Sequence, residues 1–413
     1  MMHTLASMLL LLASAAAQKP QLAQTPPMGW MSWEVFRCEI DCRTNPDACI
    51  NERLYKQMAD AIQTDGYVAA GYRTISIDDC WESGVPGVLR RPGEPLQMNA
   101  TRFPSGPKAL ADYIHARGAK FGIYSDEGTQ TCQGYYGSQG YEALDAKTFA
   151  SWGVDYLKLD GCNNDAAGFA TGYPAMGRAL QKSGRDIVYS CSWPAYIGDD
   201  ESVKPYDAMA AAGCHLWRNW HDVQCEWSSV RTIMNHWGNN TAALEKAAGP
   251  GRWNDPDMLL AGNDCVSDEE ATTQFVIWAI VAAPLIMGND LRRVSAPMRK
   301  LLLNPEIIAI DQDILGKPGG RRTKLPGSIE VWTRELSNGD LAVAVYFDAP
   351  GRFALEAVRV GWTAPLVAVR EVVNRTSLGI YRRIAVIGVE SSTAHSVRCF
   401  RFSRLFEGAA TNV

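Results

Sequence analysis

The sequence has no block of basic residues, no apolar run as long as the ~20 residues that a membrane-spanning helix needs, and no CxxC pair or HExxH segment. With a net charge of -5, the chain is not expected to bind nucleic acid. The missing metal motifs, and the lack of histidines near the cysteine clusters, disfavour zinc and other metal sites. We therefore expect no membrane span, no nucleic-acid partner, no metal and no cofactor.

The N-terminal segment has the features of a secretory signal peptide. Leu9–Ala13 forms an apolar core, and Ala15 to Ala17 offer a small-residue cleavage site. A buried N-terminal helix is the alternative, but a stretch of ~13 apolar or small residues is more typical of a signal peptide. We predict that residues 1–17 are a signal peptide, cleaved after Ala17.

Eleven cysteines and three N-glycosylation sequons also indicate that the protein enters the secretory pathway. An oxidising environment with disulfides is favoured because the cysteines lack metal-binding spacing. Since the count is odd, at least one thiol is unpaired, and Cys399 is the candidate. The sequons begin at Asn99, Asn239 and Asn374. We expect a secretory route that ends in a lysosome or outside the cell.

A chain of 413 residues predicts two or three domains, and the first is marked by a repeat. From Met28 to Asp290, eight strand-like runs alternate with helix-compatible segments such as Glu52 to Ala70, Lys108 to Arg117 and Glu269 to Val281. Eight such units in about 260 residues match the size of a TIM barrel. A doubly wound open sheet is the alternative, but eight regular units favour closure. We predict an α/β fold with a (β/α)8 barrel over residues 18–310. The runs are MGWMSW, YRTISIDD, KFGIYSD, VDYLKLDG, DIVYSCSW, HLWRNWHD, RWNDPDML and APLIMGND.

The pattern changes beyond the barrel. A linker-like segment over residues 316–322 is followed by alternating runs such as SIEVWTREL and LAVAVYFDA, which turn signals such as Ser337 to Asp340 separate. We predict a C-terminal antiparallel β domain, a sandwich, over residues 311–413. No catalytic constellation is visible in it.

Acidic residues close many of the predicted barrel strands, at the end where TIM barrels carry their active sites. A single aspartate there is usually a helix cap or turn residue, but carboxylates at five of eight strand ends are harder to explain in that way. Together with aromatic faces they suit a sugar, and glycoside hydrolysis needs a carboxylate pair. The acids are Asp78, Asp79, Asp126, Glu127, Asp160, Asp222, Asp255 and Asp257, and the aromatics are Trp30, Trp33, Tyr124, Trp193, Tyr196, Trp217 and Trp220.

Local spacing suggests roles for two of these acids. Lys158 and Asp160 are two residues apart on one strand and face the same side, where the ammonium lowers the pKa of the carboxyl group. That suits a nucleophile. Arg218 would work against a general acid at Asp222, although an extended strand would keep the two ~13 Å apart. Spacing alone leaves two other candidates for the acid: Asp126 and Asp257.

Eight stretches between Thr25 and Asp313 resemble the clan of retaining α-galactosidases and α-N-acetylgalactosaminidases, glycoside hydrolase family 27. They occur in the family's order, and their combination is specific although no single stretch is. The predicted β domain fits the family's second domain. The stretches are TPPMGWMSWEVFRCEIDC, YRTISIDDCW, GIYSDEGTQTC, YLKLDGC, YSCSWPAY, LWRNWHD, GRWNDPDML and APLIMGNDLR.

The resemblance implies a role for each matched position. The nucleophile falls on Asp160 and the acid/base on Asp222, which act by double displacement with net retention. Their carboxyl groups are expected to face each other across the barrel mouth, near the ~5–5.5 Å of retaining enzymes. The other implied contacts are the hydroxyl-binding pair Asp78 and Asp79, the further sugar contacts Lys158, Arg218 and Asp257, and the aromatic wall of Trp33 and Tyr124.

The resemblance also implies disulfides and an oligomeric state. Relatives often form homodimers, so a homodimer is expected. Two cysteines, Cys225 and Cys265, fall outside the family's pattern and could form an additional bridge. The implied pairs are Cys38–Cys80, Cys42–Cys49, Cys132–Cys162 and Cys191–Cys214.

The loop after the fifth strand separates two substrates. Family members specific for galactose carry Glu and Leu where this chain has Ser192 and Ala195, and those larger groups fill the space that an acetamide needs. Here Ser192 can hydrogen-bond the acetamide, Ala195 leaves room for its methyl group, and Tyr196 can pack against it, although small residues could also merely fit a tight loop beside Cys191.

We therefore predict an exo-acting enzyme that removes terminal α-linked N-acetylgalactosamine from glycoconjugates, with some activity on α-galactosides. An α-galactosidase is the first alternative. The second is a sugar-binding protein on a decayed barrel, which would be expected to have lost one of the carboxylate pair. Since both Asp160 and Asp222 are present, the binding protein is disfavoured.

Overall fold

The computed structural model of the chain describes residues 22–325 and 329–405. The predicted signal peptide, residues 1–17, lies outside the described residues, so cleavage after Ala17 stays a prediction. Within the described ranges, no helix has both the length and the apolar character needed to cross a membrane.

Eight parallel strands form the barrel. They are β1 (Met28–Met31), β2 (Thr74–Ser76), β3 (Lys120–Asp126), β4 (Tyr156–Asp160), β5 (Val188–Cys191), β6 (Leu216–Arg218), β7 (Trp253–Asp255) and β8 (Leu285–Met287). Their order is β7-β6-β5-β4-β3-β2-β1-β8. The ring closes just beyond β7, where the Leu259 N–H donates to the Ile286 carbonyl (2.8 Å) and the Gly288 N–H donates to the Leu259 carbonyl (2.9 Å). The predicted (β/α)8 fold is confirmed.

Helices surround this ring. They are α1 (Trp33–Phe36), α2 (Glu52–Thr64), α3 (Tyr67–Ala70), α4 (Gly106–His115), α5 (Glu142–Trp152), α6 (Ala166–Lys182), α7 (Tyr206–Ala211), α8 (Trp227–Asn239), α9 (Thr241–Ala247), α10 (Asp268–Ile280), α11 (Ala296–Leu302) and α12 (Pro305–Asp311). The segment from Glu52 to Ala70 is divided at Gly66, whose φ of +87° lies in the left-handed region that ends a helix. Helix α10 begins with a capping box between Ser267 and Glu270.

Several strands are shorter than the runs that predicted them. β2 ends two residues before Asp78, and β6 ends at Arg218, four residues before Asp222. The chain therefore leaves the sheet before it reaches these acids, and they lie on loops at the carboxyl ends of the strands. That is the face on which TIM barrels carry their active sites.

The C-terminal part contains two antiparallel sheets. Its strands are β9 (Gly320–Leu325), β10 (Ile329–Glu335), β11 (Leu341–Phe347), β12 (Gly351–Glu356), β13 (Leu366–Glu371), β14 (Thr376–Arg382), β15 (Val386–Ser391) and β16 (Ser396–Ser403). Six strands form one sheet in the order β14-β13-β16-β11-β10-β9, and β12 pairs with β15. Val343 and Phe402 of the larger sheet pack in one apolar core with Leu355 and Ile387 of the smaller one. The predicted antiparallel β architecture is confirmed.

The larger sheet is buried on both faces, which explains why β11 is apolar throughout. Val343 and Val345 face the smaller sheet, whereas Ala344 and Tyr346 pack toward the barrel. Helix α10 lies between the barrel and this sheet, so its residues from Ala271 to Ile280 are almost all buried. The two parts of the protein thus share a continuous apolar contact.

Candidate active site

A buried ammonium group lies at the centre of the acidic face. Lys158, on β4, donates from Nζ to Asp78 Oδ2 at 2.7 Å, and both side chains are buried. Burial acts to lower the pKa of Lys158, but the carboxylates around it, Asp78 first and Asp160 next, outweigh burial and raise that pKa. The cation therefore stays charged and links the ends of β2 and β4.

Hydrogen bonds hold the Asp78 backbone and the Asp79 carboxyl group from several sides. The Asp78 N–H donates to Ser32 Oγ (3.1 Å), and Asp79 accepts from the backbone N–H groups of Cys80 (2.7 Å) and Gln133 (3.0 Å). Burial, and then the negative charge of Asp78, raise the pKa of Asp79 to about 7. Two adjacent carboxyl groups with fixed orientation can bind a pair of neighbouring hydroxyl groups.

Asp160 is the last residue of β4, and its carboxyl group is oriented by two donors. Asp160 Oδ1 accepts from the Gly161 N–H (2.9 Å) and from the Tyr196 hydroxyl (2.8 Å). The Tyr173 hydroxyl donates to the backbone carbonyl of Asp160 at 2.8 Å. These hydrogen bonds hold the Asp160 carboxyl group in one orientation, as a nucleophile at a fixed position requires.

Asp126 lies beside Asp160, because the two residues are register partners at the ends of β3 and β4. Asp126 accepts from the backbone N–H groups of Gly128 (2.7 Å) and Cys162 (3.0 Å), so it fixes the loop that follows the nucleophile candidate. Burial, and then the charge of Asp160, raise its pKa well above the usual range. The Asp126 carboxyl also lies near the sulfurs of Cys132 and Cys162, but these are joined in a disulfide and offer no thiolate to a metal.

Asp222 and Asp257 are joined by the guanidinium group of Arg218. Arg218 Nη1 lies 3.0 Å from Asp222 Oδ1, and Nη2 lies 3.1 Å from Asp257 Oδ2. The expected separation of ~13 Å between Arg218 and Asp222 is therefore wrong, because the chain turns back after β6 instead of staying extended.

This contact acts on the proton affinity of Asp222. Burial raises its pKa, but the charge of Arg218 outweighs burial and lowers the pKa below the usual range. The Asp222 side chain is 64% exposed, so solvent screens part of the attraction. Asp222 is the strand-end acid that is open to solvent, whereas Asp126 and Asp257 are buried.

The loop after β5 forms a compact turn at the rim of this face. Ser192 is buried, and a 3₁₀ turn over Trp193–Tyr196 follows it, with the Ala195 N–H donating to the Ser192 carbonyl (3.0 Å). Trp193 stacks on Tyr173 with its ring centroid at 5.6 Å. The Tyr196 ring is 41% exposed while its hydroxyl binds Asp160, so Tyr196 joins this turn to the nucleophile candidate.

The aromatic residues divide into two groups. Trp30 and Trp217 are fully buried in the barrel core and cannot cover a sugar. Trp33 is half-buried, and Tyr124 lies with its ring centroid 5.2 Å from Lys158 Nζ. Trp33 therefore remains available as an aromatic contact at the acidic face, whereas the Tyr124 side chain is buried and offers little surface to a sugar.

Five disulfides lie among the loops of this face and the adjoining segments. Cys399 is a free, buried thiol, as predicted. The first four bridges are those that the resemblance implied, and the fifth joins the two cysteines whose pairing was left open. The five are Cys38–Cys80, Cys42–Cys49, Cys132–Cys162, Cys191–Cys214 and Cys225–Cys265.

Sequence reasoning missed supporting groups whose importance depends on tertiary contacts. Ser32 receives the Asp78 N–H, and the Asn219 side chain accepts from the Asp255 N–H (2.9 Å) and donates to Asn254 Oδ1 (2.9 Å). The sequence marks Ser32 and Asn219 only by their position, because each residue follows directly after a barrel strand. Position alone does not say which strand-end residue they support.

A closed barrel with two carboxylates among the sugar-type contacts at its carboxyl-terminal face is the arrangement of a glycoside hydrolase. The family described as Alpha galactosidase A matches residues 25–313. An alpha-N-acetylgalactosaminidase of Gallus gallus is 46% identical over 355 residues, covering 85% of this chain and 86% of the relative. Human alpha-galactosidase A is 45% identical over 325 residues, covering 78% and 74%. The crystal structure of alpha-galactosidase I from Mortierella vinacea matches with a TM-score of 0.81 at 31% identity, covering 92% of this chain and 97% of that one. The chain belongs to the alpha galactosidase A family, glycoside hydrolase family 27.

Glu127 is a further buried acid directly behind the site. It follows Asp126 at the end of β3, and its carboxyl packs against Gly172 of α6, where a Cβ atom would collide with it. Burial, and then the charge of Glu142, raise its pKa from 4.5 to about 10. The folded protein therefore keeps a proton on Glu127 that the unfolded chain has lost above pH 4.5.

This difference predicts a pH dependence of stability. Between pH 4.5 and about 10 the native state binds one more proton at Glu127, so stability falls as pH rises, by up to about 1.4 kcal/mol per pH unit. The variant Glu127→Gln, which stays neutral, should lack this loss and gain stability relative to wild type from pH 5 to pH 8. Urea unfolding across this range measures the difference. Glu335→Gln, at an exposed carboxylate, is the control, and a pH-independent difference for Glu127→Gln would contradict the assignment.

Proposed function

We propose that the protein is a retaining exo-glycosidase that removes terminal α-linked N-acetylgalactosamine from glycoconjugates, with some activity on α-galactosides. The observation that carries the proposal is the joint presence of the Lys158-centred acidic face and the small residues Ser192 and Ala195 at its rim. The similarity of the chain to the alpha-N-acetylgalactosaminidase of Gallus gallus supports the same conclusion.

In the proposed mechanism, Asp222 protonates the leaving oxygen while Asp160 attacks the anomeric carbon. The bond from that carbon to the leaving oxygen breaks as the bond to the Asp160 carboxylate forms. Asp222, now ionised, deprotonates a water molecule that attacks the same carbon and releases the sugar. We expect the two carboxyl groups to lie ~5–5.5 Å apart. The charges of both act on the Tyr196 hydroxyl, Asp160 more strongly than Asp222, which supports their proximity.

Because Arg218 lowers the pKa of Asp222, this contact works against the protonated form that the first step needs. The ionised form that Arg218 favours is the one needed as the base in the second step. The ion pair of Lys158 and Asp78 forms the floor of the proposed sugar site. Asp79 has a pKa of about 7, so below that pH its carboxyl group can donate a hydrogen bond to a sugar hydroxyl.

Double displacement predicts net retention of anomeric configuration. Two inversions at the anomeric carbon return the sugar to the α configuration. Proton NMR of the first product formed from an aryl α-N-acetylgalactosaminide should show the α-anomer before mutarotation. The β-anomer as first product would rule out Asp160 as nucleophile.

Removal of either carboxylate should abolish efficient turnover. Asp160→Asn should lower kcat by about 10⁴-fold or more, since the covalent intermediate cannot form. Asp222→Ala should lower kcat/KM by roughly 10²–10⁴-fold on substrates whose leaving group needs protonation. Asp207→Asn, at an exposed aspartate of α7, is the control and should retain wild-type rates. Wild-type activity in Asp160→Asn would refute the assignment.

The choice of N-acetylgalactosamine over galactose depends on space beside the sugar's C2 substituent. Ser192 is buried at the base of the turn and Ala195 is half-buried, so neither side chain extends far from the backbone. A pocket shaped for the acetamide leaves a void rather than a clash when galactose binds, and residual α-galactosidase activity is expected. An α-galactosidase remains the second candidate, because relatives with that name are nearly as similar to the chain.

The double variant Ser192→Glu with Ala195→Leu tests the pocket. The wild-type enzyme should have a higher kcat/KM on an aryl α-N-acetylgalactosaminide than on an aryl α-galactoside. The larger side chains should shift this ratio toward galactose by about 10-fold or more, since they occupy the acetamide space. Ser202→Glu adds the same charge to an exposed position of the same loop and should leave the ratio unchanged. A ratio that the double variant does not move would overturn the specificity assignment.

The proposal also includes the cellular destination of the protein and its oligomeric state. The lysosomal or extracellular destination follows from the predicted signal peptide and sequons and agrees with five disulfides, which form in oxidising compartments. The homodimer follows from the family resemblance. Both stay predictions.

A further inference from the structure

The bridge Cys225–Cys265 joins two loops of the active-site face. Cys225 lies three residues after Asp222, in the loop between β6 and α8, and Cys265 lies eight residues after Asp257, in the loop between β7 and α10. The two Cα atoms are 5.5 Å apart. The bridge therefore ties the loop of the proposed acid/base to the next loop around the barrel.

The loop from Asn219 to Glu226 is irregular and largely open to solvent. His221, Asp222, Gln224, Cys225 and Glu226 are all exposed. Before Asp222, the loop is anchored by Trp220, which stacks on His236 with ring centroids 4.3 Å apart. After Asp222, the Val223 N–H donates to Asp257 Oδ2 at 2.9 Å, and the covalent link at Cys225 follows two residues later.

The other end of the bridge lies next to a rigid element. Cys265 precedes Ser267, the cap of α10, by two residues, and α10 is buried between the barrel and the C-terminal sheet. A segment joined to that cap has little freedom to move. The bridge transmits this restraint to the exposed side of the acid/base loop.

We propose that Cys225–Cys265 is a positioning device for Asp222: it fixes the loop so that the Asp222 carboxyl stays at Arg218 and in reach of the leaving oxygen. The inference rests on the proposed role of Asp222 as acid/base. Neither cysteine touches the substrate. Because a displacement of about 1 Å can lower a rate by about 10²-fold, loss of the bridge should impair proton transfer much more than sugar binding.

The test uses the dependence of the rate on the leaving group. An alkyl α-N-acetylgalactosaminide needs a proton on its departing oxygen, whereas a 2,4-dinitrophenyl α-N-acetylgalactosaminide departs with little help. The variant Cys225→Ser with Cys265→Ser should lose about 10-fold or more of kcat/KM on the alkyl substrate and less than about 3-fold on the dinitrophenyl substrate. A bridge that only stabilises the fold would lower both values equally. Equal losses, or no loss on either substrate, would overturn the proposal.

Two reference variants separate the possible failures. The double variant Cys42→Ser with Cys49→Ser removes a bridge from the loop before α2. It should change kcat/KM by the same factor on both substrates. Asp222→Ala should show the strong leaving-group dependence itself; if it does not, the acid/base assignment fails rather than the bridge proposal. If Asp222→Ala shows the dependence and the cysteine variant does not, the bridge proposal fails.

A second experiment, on the wild-type protein, tests the proposal if the serine variant does not fold. Wild type can be treated with a mild reductant, and alkylation with mass spectrometry identifies molecules in which Cys225 and Cys265 are free. Cys225 is exposed and Cys265 half-buried, but Cys132 and Cys162 have the same exposure, so the comparison uses preparations in which the Cys132–Cys162 bridge is shown to be intact. The same two substrates then give the comparison, and selective loss on the alkyl substrate supports the proposal while equal loss contradicts it.

Discussion

The buried ammonium of Lys158 is the interaction on which the active-site face depends. The barrel brings carboxyl groups from the ends of several strands to one place, and their mutual repulsion must be offset. Lys158 does this from the middle of β4, 2.7 Å from Asp78 and within electrostatic reach of Asp160 and Asp257. The cation in turn requires these acids, since an unpaired buried charge is strongly destabilising. Charge balance thus couples the acidic face, where we propose that the sugar binds, to the stability of the barrel.

Arg218 performs the corresponding task on the other side of the face, with a different consequence. It bridges Asp222 and Asp257, and its charge lowers the pKa of Asp222. A residue that acts first as acid and then as base needs a pKa that serves both steps. In the proposed mechanism, the contact with Arg218 favours the ionised form of Asp222 that the second step needs and works against the protonated form that the first step needs.

Much of the fold could be predicted from the sequence because period and order carry the information. Eight strand-like runs predicted a barrel, the acidic ends of five of them predicted the face of its site, and the alternating runs predicted the C-terminal sheets. The course of the chain beyond each strand could not be predicted. Asp222 approaches Arg218 because the loop turns back, and that turn depends on a long-range contact between the Val223 N–H and Asp257. Similarly, period alone could not show that Trp30 and Trp217 belong to the core, since successive positions along a strand face alternately the barrel interior and the surrounding helices, and the pattern does not fix which position faces which side.

The pairing of the cysteines also could not be derived from the sequence pattern alone. The disulfides explain how a site built on loops keeps its geometry. Four of the barrel strands, β2, β6, β7 and β8, have only three residues, so the sheet itself restrains the residues beyond them weakly. Disulfides tie neighbouring segments instead: Cys132–Cys162 links the loops after β3 and β4, and Cys191–Cys214 links the end of β5 to the start of β6. Cys225–Cys265 extends these ties to the loops after β6 and β7. The nucleophile candidate, the turn over Trp193–Tyr196 and the acid/base candidate each lie within a few residues of such a tie, so covalent restraint replaces the hydrogen-bonded ladder where the strands end.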